Sequence, residues 1–190
     1  MNIEEINQKL STLLPKGRVN HSYRVADCAV KLSKIYNCNE EKAYLAGIVH
    51  DAAKCLKDDQ IKDYVEKYEI YLDPIEENNL ALSHSVIGSY IAEYEFNIKD
   101  REITNAVKYH TTGKENMELL EKIIYIADLI EDGRTLPHVQ HLRDLAYEGK
   151  LDEALLISFN NTLNFVIKNN NLIHPRTISA RNYLIKEMLL

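Results

Sequence analysis

The chain has 190 residues, 45% of them hydrophobic, and carries 23 basic against 29 acidic side chains, a formal charge of −6. That length and apolar content suit one domain over residues 1–190 with a real core, and they exclude global disorder. The charge argues against broad electrostatic binding to nucleic acid. No apolar run nears the roughly 18 residues of a membrane span, and no basic and then apolar leader opens the chain, so a cytoplasmic protein is expected.

The chain reads as all-α. Ile3, Ile6, Leu10, Leu13 and Leu14 share one helical face, which Pro15 and Gly17 interrupt. Val25, Ala29, Leu32 and Tyr36 mark a second helix carrying His21 on or beside its buried face. Asn39 is the expected N-cap, with Glu40 and Glu41 in the first turn, of a helix that ends at His50-Asp51. Asp58 is read as capping a short helix through Ile61, Val65 and Tyr68, and Asp73-Pro74 as a turn. A helix over about Leu82–Phe96 carries His84, Ile87 and Ile91. The next, from about Asp100, carries Ile103, Ala106, Val107 and His110 and stops at Thr111-Thr112-Gly113. A strongly apolar helix covers Met117–Ile130, and helices from about Leu136, Leu151 and Thr177 complete the chain. Asn160-Asn161 and Asn169-Asn170-Asn171 read as solvated helix ends. Cys28, Cys38 and Cys55 are odd in number and lack CxxC spacing, which predicts free thiols in a reducing compartment.

His50 and Asp51, side by side at the end of an apolar helical run, offer nitrogen and oxygen donors to one cation. Asp128 lies between Ala127 and Leu129 in a helix whose neighbours ask for burial. An unpaired ionised carboxylate there costs several kcal/mol, so it pairs with a base (Arg134 or Arg143) or binds a metal. His21, His50, His84 and His110 each fall on or beside an apolar face. Metal coordination gives these four histidines, Asp51 and Asp128 one shared explanation. Imidazole and carboxylate donors suit a transition metal such as iron, manganese, cobalt, nickel or zinc, and six donors suit two ions bridged by a carboxylate. His138 and His141 lie in a polar stretch and are read as surface residues; His174 is a weaker ligand candidate.

Arg18 stands one helical turn before His21, Lys54 follows Asp51 by three residues, and Arg134 follows Asp128 by six. A metal site ringed by such bases suits phosphoryl chemistry, although each also reads as a solvated surface base. Thr111-Thr112-Gly113 reads either as a turn with N–H groups free for an anion or as a plain helix C-cap.

The order His21, His50-Asp51, Asp128 resembles the HD-domain metal-dependent phosphohydrolases, and the intervening His84 and His110 resemble their binuclear branch. Five segments carry a closer likeness: Arg18–Val25, His50–Lys54, His84–Gly88, His110–Gly113 and Ala127–Arg134. With the tail Ile173–Thr177, they resemble the bacterial YqeK-like symmetrical diadenosine tetraphosphatases over about residues 1–185. The resemblance implies a single-domain HD-type helical bundle and an iron-dependent hydrolase that splits diadenosine tetraphosphate into two ADP. It places the main metal, a divalent or mixed-valence ion, on His21, His50, Asp51 and Asp128. His84 and His110 would face a second metal position or the substrate phosphates. Arg18, Lys54, Thr111 and Arg134 would contact the nucleotide, and Asp51, Lys54, His84 and His110 would take part in catalysis. In that mechanism water attacks a β-phosphorus and ADP leaves, with His84 or His110 as proton donor. Ser83 and Ser85, where Leu and Gly are usual, and Asp132, where Pro is usual, are departures that could reshape the pocket. Other readings stay open: another HD-type hydrolase (a nucleotidase or a cyclic-nucleotide phosphodiesterase), a catalytically silent nucleotide sensor, and a helical interaction module. The exposed face of the first helix is available for a homodimer.

Overall fold

Polar caps and backbone breaks set the helix boundaries in this computed structural model, which describes residues 2–135 and 139–189. The helices are α1 (Ile3–Leu13), α2 (Lys16–Tyr36), α3 (Glu40–Val49), α4 (Asp58–Lys67), α5 (Pro74–Glu77), α6 (Leu80–Tyr90), α7 (Arg101–Tyr109), α8 (Leu119–Ile130), α9 (Val139–Tyr147), α10 (Leu151–Lys168) and α11 (Pro175–Met188). The Asn2 side chain accepts from Glu5 N–H while the Glu5 carboxylate accepts from Asn2 N–H, a reciprocal cap that opens α1. Asn39 accepts from Lys42 N–H at 2.9 Å, so α3 starts as the sequence predicts. Among the described residues there is no strand, and no helix is long and apolar enough to cross a membrane.

Several local expectations are corrected. Lys57, not Asp58, is the N-cap of α4; its N–H donates to the Gln60 side chain at 3.0 Å, so the cap forms one residue earlier. Asp73 does not merely turn the chain: its Oδ1 accepts from Ile75 N–H and Glu76 N–H and starts α5, with Pro74 preset for a first helical position. The α6 helix starts at Leu80 and continues through a π-turn at Ile91–Glu95, which absorbs an extra residue while Ile91 and Phe96 stay buried. The α8 helix starts at Leu119 and α11 at Pro175. Asn160 and Asn161 sit inside α10, where Asn160 accepts from Arg181 Nε at 2.6 Å; only Asn169–Asn171 form a helix end. The expected helix start at Leu136 and the surface reading of His138 fall outside the described residues.

The helices α2, α3, α7 and α8 pack around a common core in which Val25, Leu32, Ile48, Val107, Ile123 and Ile126 are buried. Each such side chain contributes about 1.5–3 kcal/mol of transfer free energy. The closest approach is between α2 and α3: a Cβ added to Gly47 would lie 2.6 Å from Ala26 Cα. The glycine lets two backbones touch, and that contact brings the end of α3 beside the start of α2. All three cysteines are free; Cys28 is buried among the helices, Cys38 half-buried and Cys55 exposed.

Candidate metal centre

Five helices deliver six donor side chains to one point. His21 comes from the second turn of α2, His84 from α6 and Asp128 from the last turn of α8. His50 and His110 occupy the C-cap positions of α3 and α7, and Asp51 lies in the turn after α3. Helix C-termini present unpaired carbonyls and a partial negative charge that favours cations. Two of those carbonyls orient candidate ligands: His50 Nδ1 donates to Gly47 O and His110 Nδ1 to Val107 O, each at 2.7 Å.

The same rule extends to the other pair. His84 Nδ1 donates to Leu80 O at 3.0 Å, and His21 Nδ1 to Glu131 Oε1 at 3.2 Å. With the proton fixed on every Nδ1, each Nε2 carries a lone pair, and all four point inward. His84 Nε2 and His110 Nε2 stand 3.1 Å apart. Two lone pairs at that distance repel, and a shared cation relieves the repulsion. His21 Nε2 and His50 Nε2 are buried without a hydrogen-bond partner, and with their Nδ1 protons committed elsewhere their lone pairs are left for a cation.

Asp51 links the two histidine pairs. Its Oδ2 lies 3.8 Å from His21 Nε2 and 3.6 Å from His50 Nε2, and its Oδ1 lies 3.2 Å from His84 Nε2 and 3.7 Å from His110 Nε2. Asp128 Oδ1 is 2.9 Å from His21 Nε2 and 3.8 Å from His50 Nε2. The donor set fits a divalent transition metal.

Electrostatics support the same assignment. Burial pushes the His50 ring down, and it pushes His84 down to about 4. Both rings are therefore neutral lone-pair donors at neutral pH. Burial alone would raise Asp51, but His50, His110 and His84 outweigh it and hold its carboxyl below the usual range. Asp128 behaves alike, with His21 the leading opposing partner.

Cationic side chains ring the cluster. Arg18 Nη1 reaches Asp51 Oδ2 at 3.3 Å, and Lys54 Nζ lies 3.2 Å from His84 Nε2. Arg134 donates to Asp128 Oδ1 at 2.8 Å and to Asp128 O at 2.9 Å. Asp128 thus has both partners foreseen for it, a base and a ligand cluster, and it is half-buried rather than enclosed. Arg143 serves α8 differently, donating to Ile130 O, Glu131 O and Arg134 O.

Thr111 lies at the edge of a cavity of about 350 Å³ that opens beside His110 and Asp128. Leu82, Leu129, Leu163 and Val166 give it apolar walls, and Asn79, Thr162 and Asn171 add polar groups. The Thr111 hydroxyl is 3.0 Å from Ser85 Oγ, so one of the family departures touches a candidate substrate contact. Ser83 is buried nearby, whereas Asp132 is exposed and pairs with Lys31, away from the pocket. Gly113 has φ +65° and its N–H bonds Tyr109 O at 2.8 Å, the helix C-cap alternative. His141 is exposed. His174 is buried but lies in a separate cluster with Asp73 and Glu76.

One member of the site carries no role in the sequence analysis. Glu131 is buried, accepts from His21, and is held in turn by the Arg24 guanidinium and by Gly133 N–H at 2.6 Å. Its spacing of three from Asp128, which puts it one turn on along the same side, is the signal that could have found it.

Histidine and aspartate donors gathered this way on a helical bundle define an HD domain. The HD domain family model matches residues 18–132, and the chain belongs to that family. A crystal structure from Clostridium acetobutylicum, described as a predicted HD superfamily hydrolase involved in NAD metabolism, superposes with a TM-score of 0.94 at 43% identity, covering 98% of each chain. The symmetrical bis(5'-nucleosyl)-tetraphosphatase of Staphylococcus aureus (strain NCTC 8325 / PS 47) is 41% identical over 186 residues, 96% of this chain and 94% of that one. Its counterpart from Bacillus subtilis (strain 168) is 34% identical over 185 residues, 97% and 98% of the two chains. Within the HD class, the chain belongs with these symmetrical bis(5'-nucleosyl)-tetraphosphatases.

Proposed function

We propose that the protein is a metal-dependent hydrolase that cleaves diadenosine tetraphosphate symmetrically into two ADP. The observation that carries this reading is Asp51, whose two oxygens each face a different histidine pair, in a cluster whose His110 and Asp128 line a nucleoside-sized cavity. His21, His50, Asp51 and Asp128 would hold the main ion, and His84 and His110 a second one. Iron, divalent or mixed-valence, is the metal we propose, and the cytoplasm the location. A bound ion of this kind supplies nucleophilic water at neutral pH and polarises a phosphoryl oxygen.

The protein's own residues do the rest. Arg18, Lys54 and Arg134 would neutralise the tetraphosphate, exchanging their contacts with Asp51, His84 and Asp128 for phosphate oxygens. Thr111 would add a hydroxyl donor. Because burial holds His84 neutral at pH 7, it offers a lone pair rather than a proton, which favours its ligand role over that of proton donor to the leaving ADP. Symmetrical products require attack at a β-phosphorus. The apolar cavity walls would take one adenosine and leave the chain midpoint over Asp51. Incubating metal-loaded protein with diadenosine tetraphosphate and separating the products tests this. ADP alone is expected; AMP with ATP, or free phosphate, would overturn symmetrical cleavage.

A further inference from the structure

The C-terminal segment joins the cavity through a second cluster of buried charge that shares no residue with the candidate metal ligands. His174 is the N-cap of α11, and its Nδ1 accepts from Arg176 N–H at 3.1 Å. That bond commits the ring proton to Nε2, which faces Asp73 Oδ2 at 2.8 Å and Glu76 Oε1 at 3.5 Å. Arg176 Nη1 donates to Glu76 Oε1 at 2.9 Å and to Thr112 Oγ1 at 3.4 Å, and its guanidinium sits 5.5 Å over the Tyr109 ring. Glu76, His174 and Thr112 are buried.

Asp73, Glu76 and His174 are close enough together to suggest a metal site, but their chemistry argues otherwise. A neutral histidine ligating through Nε2 must protonate Nδ1, and here Nδ1 is an acceptor. Arg176 also occupies the Glu76 oxygen that would face a cation. The cluster is an ion-pair clamp. A buried ion pair adds little net stability over apolar packing, so stability alone does not account for it.

Its position does. Ile173, His174 and Thr177 form one stretch of wall of the 350 Å³ cavity, and Asn79, Ala81 and Leu82 form another. The clamp ties the first wall to α5, which leads directly into the second. Thr112 and Tyr109, also held by Arg176, flank His110 and Thr111 in the chain, and these two line the cavity as well. His110 itself is fixed within α7 by Val107 O, so the clamp sets the walls and not the ligand.

We propose that Arg176 and Glu76 are positioning residues that set the width of the cavity and hence the affinity for the nucleoside end of the substrate. This rests on the nucleotide-hydrolase reading above. The test compares wild type, Arg176→Ala, Arg176→Lys, Glu76→Gln and the Arg176→Ala/Glu76→Gln pair, all metal-loaded. Each is assayed with diadenosine tetraphosphate and with bis(p-nitrophenyl) phosphate, which lacks a nucleoside. ADP binding, metal content and thermal unfolding are measured alongside. Arg176→Ala and Glu76→Gln should raise KM for the dinucleotide, and Kd for ADP, about tenfold, equivalent to about 1.4 kcal/mol. Metal content and the rate on the aryl diester should stay within about twofold, and the double variant should be no worse than either single one, as expected of coupled groups. Arg176→Lys should recover part of the loss; if Arg176→Ala fails to fold, Arg176→Lys and Glu76→Gln carry the comparison. Unchanged KM and Kd, or parallel loss on both substrates with lower metal content, would overturn the clamp. A wild type that leaves the dinucleotide intact would instead sink the substrate reading, and the ADP affinities would still decide the clamp.

Discussion

Glu131 stands 110 residues from His21 in the chain, yet its Oε1 accepts a hydrogen bond from His21 Nδ1 at 3.2 Å. That bond makes His21 a lone-pair donor at Nε2 and fixes its ring plane. Arg24 and Gly133 N–H hold the carboxylate in turn. Carboxylate–histidine pairs of this kind tune ligands, and losing the outer partner typically costs about 10–100-fold in metal affinity. Glu131→Gln is therefore expected to weaken metal binding within that range while keeping the fold. Competition with a chelator of known affinity measures it, and wild-type affinity in the variant would remove Glu131 from the site.

Asp51 faces all four histidines, one oxygen toward each pair. Asp51→Ala should cut turnover at least about a thousandfold, about 4 kcal/mol of barrier, with helical circular dichroism nearly unchanged. Full activity in that variant would defeat the assignment. Asp51→Asn keeps the shape and loses the charge, so its stoichiometry in metal analysis separates charge from packing.

The neutral histidines dictate how the metal-free protein responds to acid. His84 falls from the ordinary 6.5 to about 4, and His50 shifts in the same direction, in both cases through burial. Below pH 6.5 the unfolded chain binds protons that the folded one refuses, so stability rises with pH in this window and falls as pH drops. For His84 alone the loss between pH 6.5 and 4 is of order 3 kcal/mol. Asp51 and Asp128, held low in the fold, act in the same direction, but only below their unfolded values near 4. Urea unfolding of metal-free protein from pH 7.5 to 4.5 should show a nearly constant midpoint above about pH 6.5 and a falling one below it; a flat profile across the whole range would show that these rings titrate normally. Metal-loaded protein should be more stable at pH 7.5 and should lose that margin on acidification as the ligands protonate.

The six candidate ligands are legible in the sequence because each interrupts or directly follows an apolar helical run. His84 and His110 do so amid Val86 and Ile87 and after Val107, where packing alone would select another residue. The long helices are legible for the same reason, since Ile123, Ile126 and Ile130 repeat at helical spacing. Glu131 is not, because a polar residue just after an apolar helix reads as an ordinary exit; its burial depends on Arg24, far away in the chain. The α5 helix is four residues long, too short to show any period. The His174 clamp escapes for a third reason: its carboxylates lie about a hundred residues from the bases they meet, and no local pattern encodes that pairing. The π-turn after α6 hides within a continuous apolar rhythm from Ile87 to Ile91.

Gly47 is where fold and site depend on one atom that is missing. An added Cβ would lie 2.6 Å from Ala26 Cα and 2.9 Å from Ala26 N, both backbone atoms, so no rotamer change relieves the clash. The α3 helix would have to retreat from α2, carrying His50 with it through its bond to Gly47 O while His21 stays behind. Gly47→Ala is expected to cost about 1–3 kcal/mol through overpacking. That corresponds to a Tm drop of roughly 2–4 °C per kcal/mol in a chain of this size. Metal affinity should fall with it, because the two ligands no longer meet. Gly17→Ala is the control: it lies in α2 with nothing within 4 Å of its added Cβ, and it should stabilise by about 0.4–1 kcal/mol. Calorimetry and metal titration on the two variants separate the effects, and a Gly47→Ala protein as stable as wild type would mean that α2 and α3 are not in backbone contact.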